Sequence, residues 1–279
     1  MPADHETAKG KPALEKFQLT DKVAVVTGAS RGLGRAIGKG LAEAGCDLVL
    51  ASRTLPDLES LAREIAGLDR KALPVSVDLA HVEGIKHLVN TAVAEFGRVD
   101  ILVNNAAANP VFGSAFDMDE ESWDETTAVD LKAYFFLSQA VGHLMKEQGG
   151  GTIINIASTS GLIPDVGLGV YAICKAGVLT MTKTLGQEWG RYNIRVNAIA
   201  PGTLKTSFSR DVWQDPVLHE KTRKAIALGR IAEPEEIVGA VIFLASEASS
   251  YMTGETIVME GGRFPYSPAT MVGKSIGGA

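Results

Sequence analysis

Only two cysteines, Cys46 and Cys174, occur in the 279 residues, too few for a disulfide framework and in keeping with a reducing, cytoplasmic setting. Cys174 neighbours Lys175, but it reads best as a small packing residue and not as a reactive thiol. The histidines, His5, His81, His87, His143 and His219, share no helix face at metal-ligand spacing, so no metal is expected. No apolar run is long enough to span a bilayer. Positive charge is also in short supply. A net charge of -6 and a pI near 5.5 argue against general attraction to nucleic acid or to an anionic membrane. The cluster Lys221, Arg223 and Lys224 stands beside Glu220 and reads as a solvated helix face. Residues 1–16 lack an apolar h-region and contain Asp4 and Glu6 but no arginine. They are expected to be a flexible extension and not a targeting signal.

What the chain does have is alternation. Val23 to Val26 form an apolar β run that leads directly into Thr27-Gly28-Ala29-Ser30-Arg31-Gly32-Leu33-Gly34, and a helical pattern follows as far as Ala44. In such a strand–turn–helix the glycines let the backbone approach a ligand closely, and the free N–H groups at the helix start favour a diphosphate. A second strand, Asp47 to Ala51, ends at Ser52-Arg53. In a dinucleotide fold an acid just past this strand accepts from the ribose 2′-hydroxyl, whereas an arginine accommodates a 2′-phosphate. Arg53, with Arg31 closing from the glycine turn, therefore points to NADP.

Further strands are expected at Leu73 to Val77, stopping at Asp78-Leu79, and at Ile101 to Val103, running into Asn104-Asn105-Ala106-Ala107. Helices are expected near 56–66 and 82–96. A loop with Asn109-Pro110 precedes a long helix from about Glu120 to Gln148, interrupted near Thr126 or Asp130. Later strands carry Ser158, then Ile194 to Ile199 before Pro201-Gly202, then Glu255 to Met259, with a helix at 235–245 before the last. Strands apolar on both faces that alternate with helices imply a single-domain α/β fold: a Rossmann-type, doubly wound sheet of about seven parallel strands covered by helices on both sides. Residues 17–262 form this domain, and 263–279 a tail without a core of its own, expected at a subunit interface. The looser stretch from Thr203 to Arg230 is either a lid over the site or a surface excursion.

Every group singled out lies where a parallel sheet binds ligands, at the carboxyl ends of its strands. Tyr171 and Lys175 stand four apart on an expected helix from Val170 to Trp189, so they project from one face. A phenol beside an ammonium is an acid–base device. The positive charge favours phenolate and is expected to lower the tyrosine pKa toward the working pH. Ser158 would hold the substrate oxygen.

With these motifs in order over residues 19–262, the chain resembles the short-chain dehydrogenase/reductase family. The resemblance implies that Ser158 orients a carbonyl, that Tyr171 transfers the proton, and that Lys175 both lowers the tyrosine pKa and binds the nicotinamide ribose. It assigns the cofactor to Gly28, Ser30, Arg31, Gly32, Leu33, Gly34, Arg53, Asp78, Leu79, Asn105, Ala106, Tyr171, Lys175, Pro201, Gly202, Leu204 and Thr206. Within these, Asp78 would meet the adenine, Asn105 the adenine ribose, the backbone near Leu204 the carboxamide, and Thr206 the phosphates. The stretches 109–113, 200–210 and 251–256 are similar to animal NADPH-dependent carbonyl and retinal reductases. Those relatives are peroxisomal, but the sequence ends Ser275-Ile276-Gly277-Gly278-Ala279, which is no peroxisomal address. One residue departs from the pattern. The family places a water-holding catalytic asparagine in a Val-Asn-Leu context, and this chain has Val129-Asp130-Leu131.

The resemblance thus implies an NADP(H)-dependent oxidoreductase, a homodimer or homotetramer, that interconverts a ketone or aldehyde and an alcohol; a cytoplasmic location is expected from the sparse cysteines and not from the resemblance. A 3-oxoacyl-thioester reductase is the alternative within enzymes. An NADP(H)-binding scaffold that has lost its chemistry is the alternative outside them.

Overall fold

A computed structural model describes residues 11–108 and 113–263. The expected loop residues 109–112, the first ten residues and the tail beyond Arg263 lie outside the described residues. The described chain begins within the expected extension: Glu15–Phe17 form one 3-10 turn, and the Phe17 ring packs 6.2 Å from that of Phe243.

The strands are β1 (Val23–Thr27), β2 (Asp47–Ser52), β3 (Ala72–Ser76), β4 (Ile101–Asn104), β5 (Gly151–Ile156), β6 (Ile194–Pro201) and β7 (Thr256–Met259). They form one sheet in the order β3-β2-β1-β4-β5-β6-β7, with every neighbour parallel. The helices between them are α1 (Gly32–Glu43), α2 (Leu55–Ala66), α3 (Val82–Phe96), α4 (Glu120–Thr127), α5 (Ala133–Glu147), α6 (Gly169–Trp189), α7 (Arg210–Gln214), α8 (Pro216–Lys224) and α9 (Glu235–Ala245).

Strand periodicity sorts the apolar residues into two cores. Val23 and Val25 face one side with Val49, Leu88, Leu137 and Leu185. Ala24 and Val26 face the other with Leu48, Leu50, Ile37, Leu41, Leu61 and Val241. Fully burying one such leucine contributes about 1.5–3 kcal/mol, so truncating Leu41 to alanine costs roughly 2–5 kcal/mol. The helix ends are set locally. Asp119 accepts from the Ser122 N–H at 2.7 Å to start α4, and Asp215 accepts from Val217 and Leu218, each at 2.8 Å, to start α8 behind Pro216.

Polar groups inside the sheet fix its carboxyl edge. Asn104 donates to both Ser138 Oγ and Asn155 Oδ1 at 2.9 Å, and Asn155 donates to Thr182 Oγ1 at 2.9 Å. These buried contacts tie β4 and β5 to α5 and α6, so the loops leaving the two strands start from set positions. The long helix expected over 120–148 is broken as anticipated near Asp130. A single π-helical turn, Ala128–Lys132, separates α4 from α5.

Candidate active site

The glycine turn is shaped so that a backbone must pass close by. Gly28 and Gly32 take left-handed φ values of 66° and 52°, which glycine adopts without steric cost. A Cβ on Gly34 would stand 2.2 Å from the Gly28 carbonyl oxygen. No side chain caps the start of α1, which leaves its first N–H groups directed at the cradle. Ser30, Leu33 and the exposed Arg31 line the same turn, and Arg53 is exposed at the end of β2. Exposed Asp78 follows β3, where its carboxylate accepts from the Ala80 N–H at 3.0 Å, and Leu79 is buried beside it.

Asn105 joins the glycine turn to the end of β4. Its amide donates to the Thr27 and Gly28 carbonyls at 2.9 and 3.4 Å, while Thr27 Oγ1 accepts from the Asn105 and Ala106 N–H groups at 2.9 and 3.0 Å. Its amide donors thus brace the glycine turn against β4.

At the other half of the edge, β5 leads to Ser158 and α6 carries Tyr171 and Lys175, which the structure brings together. Ser158 Oγ accepts from the Ser160 N–H at 3.1 Å, and its proximity to the phenol lowers the Tyr171 pKa. Lys175 is enclosed. Its Nζ donates to Tyr134 Oη at 3.3 Å and to the Ile156 carbonyl at 3.2 Å, and lies 5.5 Å from the centre of the Tyr171 ring.

Asp130 faces this ammonium from the π turn, its Oδ2 3.6 Å from Lys175 Nζ, with the two side chains 0% and 2% exposed. Oδ1 accepts from the Ala108 N–H at 2.7 Å, and Oδ2 has no hydrogen-bond partner. Burial raises the pKa of this carboxyl, against the opposing pull of Lys175 and the Ala108 N–H.

The Tyr171 pKa corrects the expectation from spacing. Part of the residue remains exposed, yet desolvation of the phenol is the largest influence and raises its pKa. Lys175 lowers it, Asp130 raises it, Ser158 lowers it and Tyr134 raises it. The spacing identified the ammonium but could not show that a carboxylate shares it. Cys174 is buried, with its thiol pushed up to about 11 chiefly by burial, so it stays protonated as a packing residue.

The stretch after β6 covers this group. Pro201 ends the strand, the Gly202 N–H donates to Met259 O at 2.9 Å, and buried Leu204 bridges to Ala232. Thr206 packs against the glycine turn, 3.3 Å from where a Gly32 Cβ would be, and its carbonyl accepts from Trp213 Nε1 at 2.8 Å. The Phe208 ring lies 5.3 Å from that of Tyr171. The excursion therefore stands over the site.

Sequence reasoning missed Tyr134 and the Phe208 contact. Tyr134 lies on the apolar face of a helix, where its hydroxyl is indistinguishable from a core ring by periodicity. Phe208 lies in the looser stretch after β6, where no periodicity assigns it a partner. Cavities of about 460 Å³ beside Phe96 and Leu144, and about 400 Å³ beside Ile226 and Val258, do not include Tyr171.

A family model described as enoyl-(acyl carrier protein) reductase matches residues 28–263. The chain is 41% identical over 247 residues to dehydrogenase/reductase SDR family member 4 of Homo sapiens, covering 88% of each chain. It is 39% identical over 250 residues to 2-dehydro-3-deoxy-D-gluconate 5-dehydrogenase of Escherichia coli strain K12, covering 89% of this chain and 98% of that one. Among solved structures, it is similar to a gluconate 5-dehydrogenase from Burkholderia cenocepacia J2315 in complex with NADP and tartrate, with a TM-score of 0.86, 33% identity and coverage of 90% of this chain and 98% of that one. The chain belongs to the short-chain dehydrogenase/reductase family.

Proposed function

We propose, from that membership, that the protein is an NADP(H)-dependent oxidoreductase interconverting a ketone or aldehyde and an alcohol, with Ser158, Tyr171, Lys175 and Asp130 as its working group. The observation that carries this reading is the convergence of Ser158, Tyr171 and Lys175 beside a glycine cradle that side chains would fill. The cradle of Gly28, Gly32 and Gly34 fits a diphosphate, and exposed Arg31 and Arg53 fit a 2′-phosphate. When bound, the cofactor supplies the hydride that reaches the carbonyl carbon.

The chain's own residues supply the rest. The Ser158 hydroxyl donates to the substrate oxygen and fixes its position, and Tyr171 gives that oxygen its proton. Lys175 holds positive charge near the phenol as negative charge develops there. Asp130, joined to the same ammonium, stands on the route by which the proton is replaced. Phe208 over Tyr171 keeps water from the reacting atoms.

We also propose a cytoplasmic location and a homodimer or homotetramer. Both cysteines are free thiols, and among the described residues no helix is long and apolar enough to cross a membrane. Assembly is supported by Trp123, Phe135 and Ile173, large apolar residues left exposed on α4, α5 and α6.

The purified protein is to be assayed with NADPH and NADH in parallel against benzaldehyde, an aliphatic ketone, a keto sugar acid and a 3-oxoacyl thioester. NADPH oxidation with a free aldehyde or ketone is expected. Turnover of the thioester alone points to the acyl reductase, and NADPH binding without turnover of any member points to a scaffold.

A further inference from the structure

The loop between Ser158 and Tyr171 is not held by its two ends alone. Ser158 Oγ accepts from the Ser160 N–H at 3.1 Å, and Ser160 Oγ donates to Asp165 Oδ2 at 3.0 Å. Asp165 in turn receives the guanidinium of Arg263, with Nη2 donating to Oδ1 at 2.6 Å and Nη1 donating to Oδ2 at 3.3 Å. A two-pronged arginine–carboxylate contact fixes orientation as well as charge. Both side chains are about one-third exposed, at 32% and 31%, so the pair is partly screened.

Arg263 is itself tied to the cover of the site. It forms an antiparallel bridge with Ile226, and the preceding Gly261 and Gly262 carbonyls accept from the Leu228 and Ala227 N–H groups at 3.1 and 3.3 Å. Residues 226–228 are the end of the excursion whose beginning carries Phe208. Two loops that must agree in position for catalysis, one bearing Ser158 and the other covering Tyr171, thus meet through one side-chain pair 98 residues apart.

We propose that Asp165 and Arg263 are positioning residues for the carbonyl-orienting serine: their pair clasps the Ser158 turn, through Ser160, to the segment that closes the site. The inference rests on the function proposed above. The clasp acts through Ser160, whose rotamer is set by Asp165 and whose N–H takes one lone pair of Ser158 Oγ, leaving the serine hydroxyl hydrogen for the substrate oxygen. Without Arg263, the Asp165 carboxylate turns to water and the Ser160 turn loses its anchor. NADPH binding is untouched, because the glycine turn, Arg31 and Arg53 lie on the other half of the edge. The pair also leaves Arg263 with its fork already occupied, so it is not an open receptor for a substrate carboxylate.

The test compares the parent with Arg263→Ala, Arg263→Lys, Asp165→Ala and the double alanine variant. The readouts are kcat and KM for the fastest carbonyl of the panel at saturating NADPH, the NADPH Kd, and the melting temperature. Each single alanine variant is expected to lower kcat roughly tenfold with the NADPH Kd within about twofold of the parent. Because the two side chains act as one unit, the double variant is expected to lose no more than either single. Arg263→Lys, which keeps the charge but not the fork, recovers part of the loss. An active parent whose Arg263→Ala variant turns over at the parental rate overturns the clasp alone. So do losses that multiply in the double variant, or losses confined to the NADPH Kd. A parent with no NADPH-dependent carbonyl turnover overturns the functional reading and the clasp with it.

Discussion

Lys175 Nζ lies 3.6 Å from Asp130 Oδ2, and neither side chain is in meaningful contact with solvent. A neutral amide at position 130 would leave the ammonium charge acting on Tyr171 unopposed; a carboxyl divides it. That arrangement follows from one turn of π-helix, which places Asp130 between the start of α5 and the Ala108 backbone.

The first prediction concerns the pH dependence of alcohol oxidation. Asp130 raises the Tyr171 pKa by direct charge repulsion of phenolate, so Asp130→Asn is expected to move the apparent pKa on the alkaline limb downward while retaining activity. The two profiles of kcat/KM against pH decide the matter. Superimposable profiles would show that another group neutralises Asp130.

A second prediction concerns stability. Burial raises the folded-state pKa of Asp130, so the folded protein keeps a proton that the unfolded chain has already released. The stability this group contributes is therefore full below its unfolded pKa and is lost as pH rises through the raised folded value. Asparagine does not titrate. Relative to Asp130→Asn, the parent is expected to melt at progressively lower temperature as pH rises across that window. A parent that gains on the variant with rising pH would mean a depressed pKa and would contradict the assignment.

The sequence made the sheet legible because each strand is apolar on both faces, as Val23–Thr27 and its five buried positions illustrate, and because helix patterns separate the strands. The Tyr171–Lys175 pair was legible because helical spacing alone places them together. Tertiary partners were not. Nothing local tells that the Asn105 amide turns back onto Thr27 and Gly28, that Tyr134 reaches Lys175 across 41 residues, or that Arg263 meets Asp165. Spacing likewise shows the charge that lowers the Tyr171 pKa but not the burial that outweighs it, since burial is a property of the packed whole.

Tyr134 yields the third prediction. Its hydroxyl accepts from Lys175 and donates to the Ile156 carbonyl at 3.2 Å. Tyr134→Phe keeps the ring, over which Lys175 Nζ sits at 4.7 Å, but removes a buried acceptor from the ammonium. A loss of about 1–3 kcal/mol in unfolding free energy is expected, together with lower kcat, measured by denaturant melts and steady-state kinetics. Unchanged values in both would remove Tyr134 from the lysine's support.

Cofactor choice gives the fourth. Arg53 is exposed at the end of β2, where an arginine suits a 2′-phosphate. Arg53→Asp replaces attraction by repulsion, and the ratio of NADPH to NADH affinity is expected to fall by roughly tenfold or more. Titration of both cofactors into parent and variant measures it. A parent that binds NADH as tightly as NADPH would refute the assignment.

The central claim is that Tyr171 is the proton donor and acceptor of a carbonyl reductase. It is tested most directly by measuring kcat and the NADPH Kd of Tyr171→Phe beside the parent, with the carbonyl that the parent turns over fastest. Phenylalanine keeps the ring that packs against Phe208 and removes only the ionising group. The account predicts a fall in kcat of at least about a hundredfold with the NADPH Kd nearly unchanged. A Tyr171→Phe protein that reduces the carbonyl at the parental rate would contradict it.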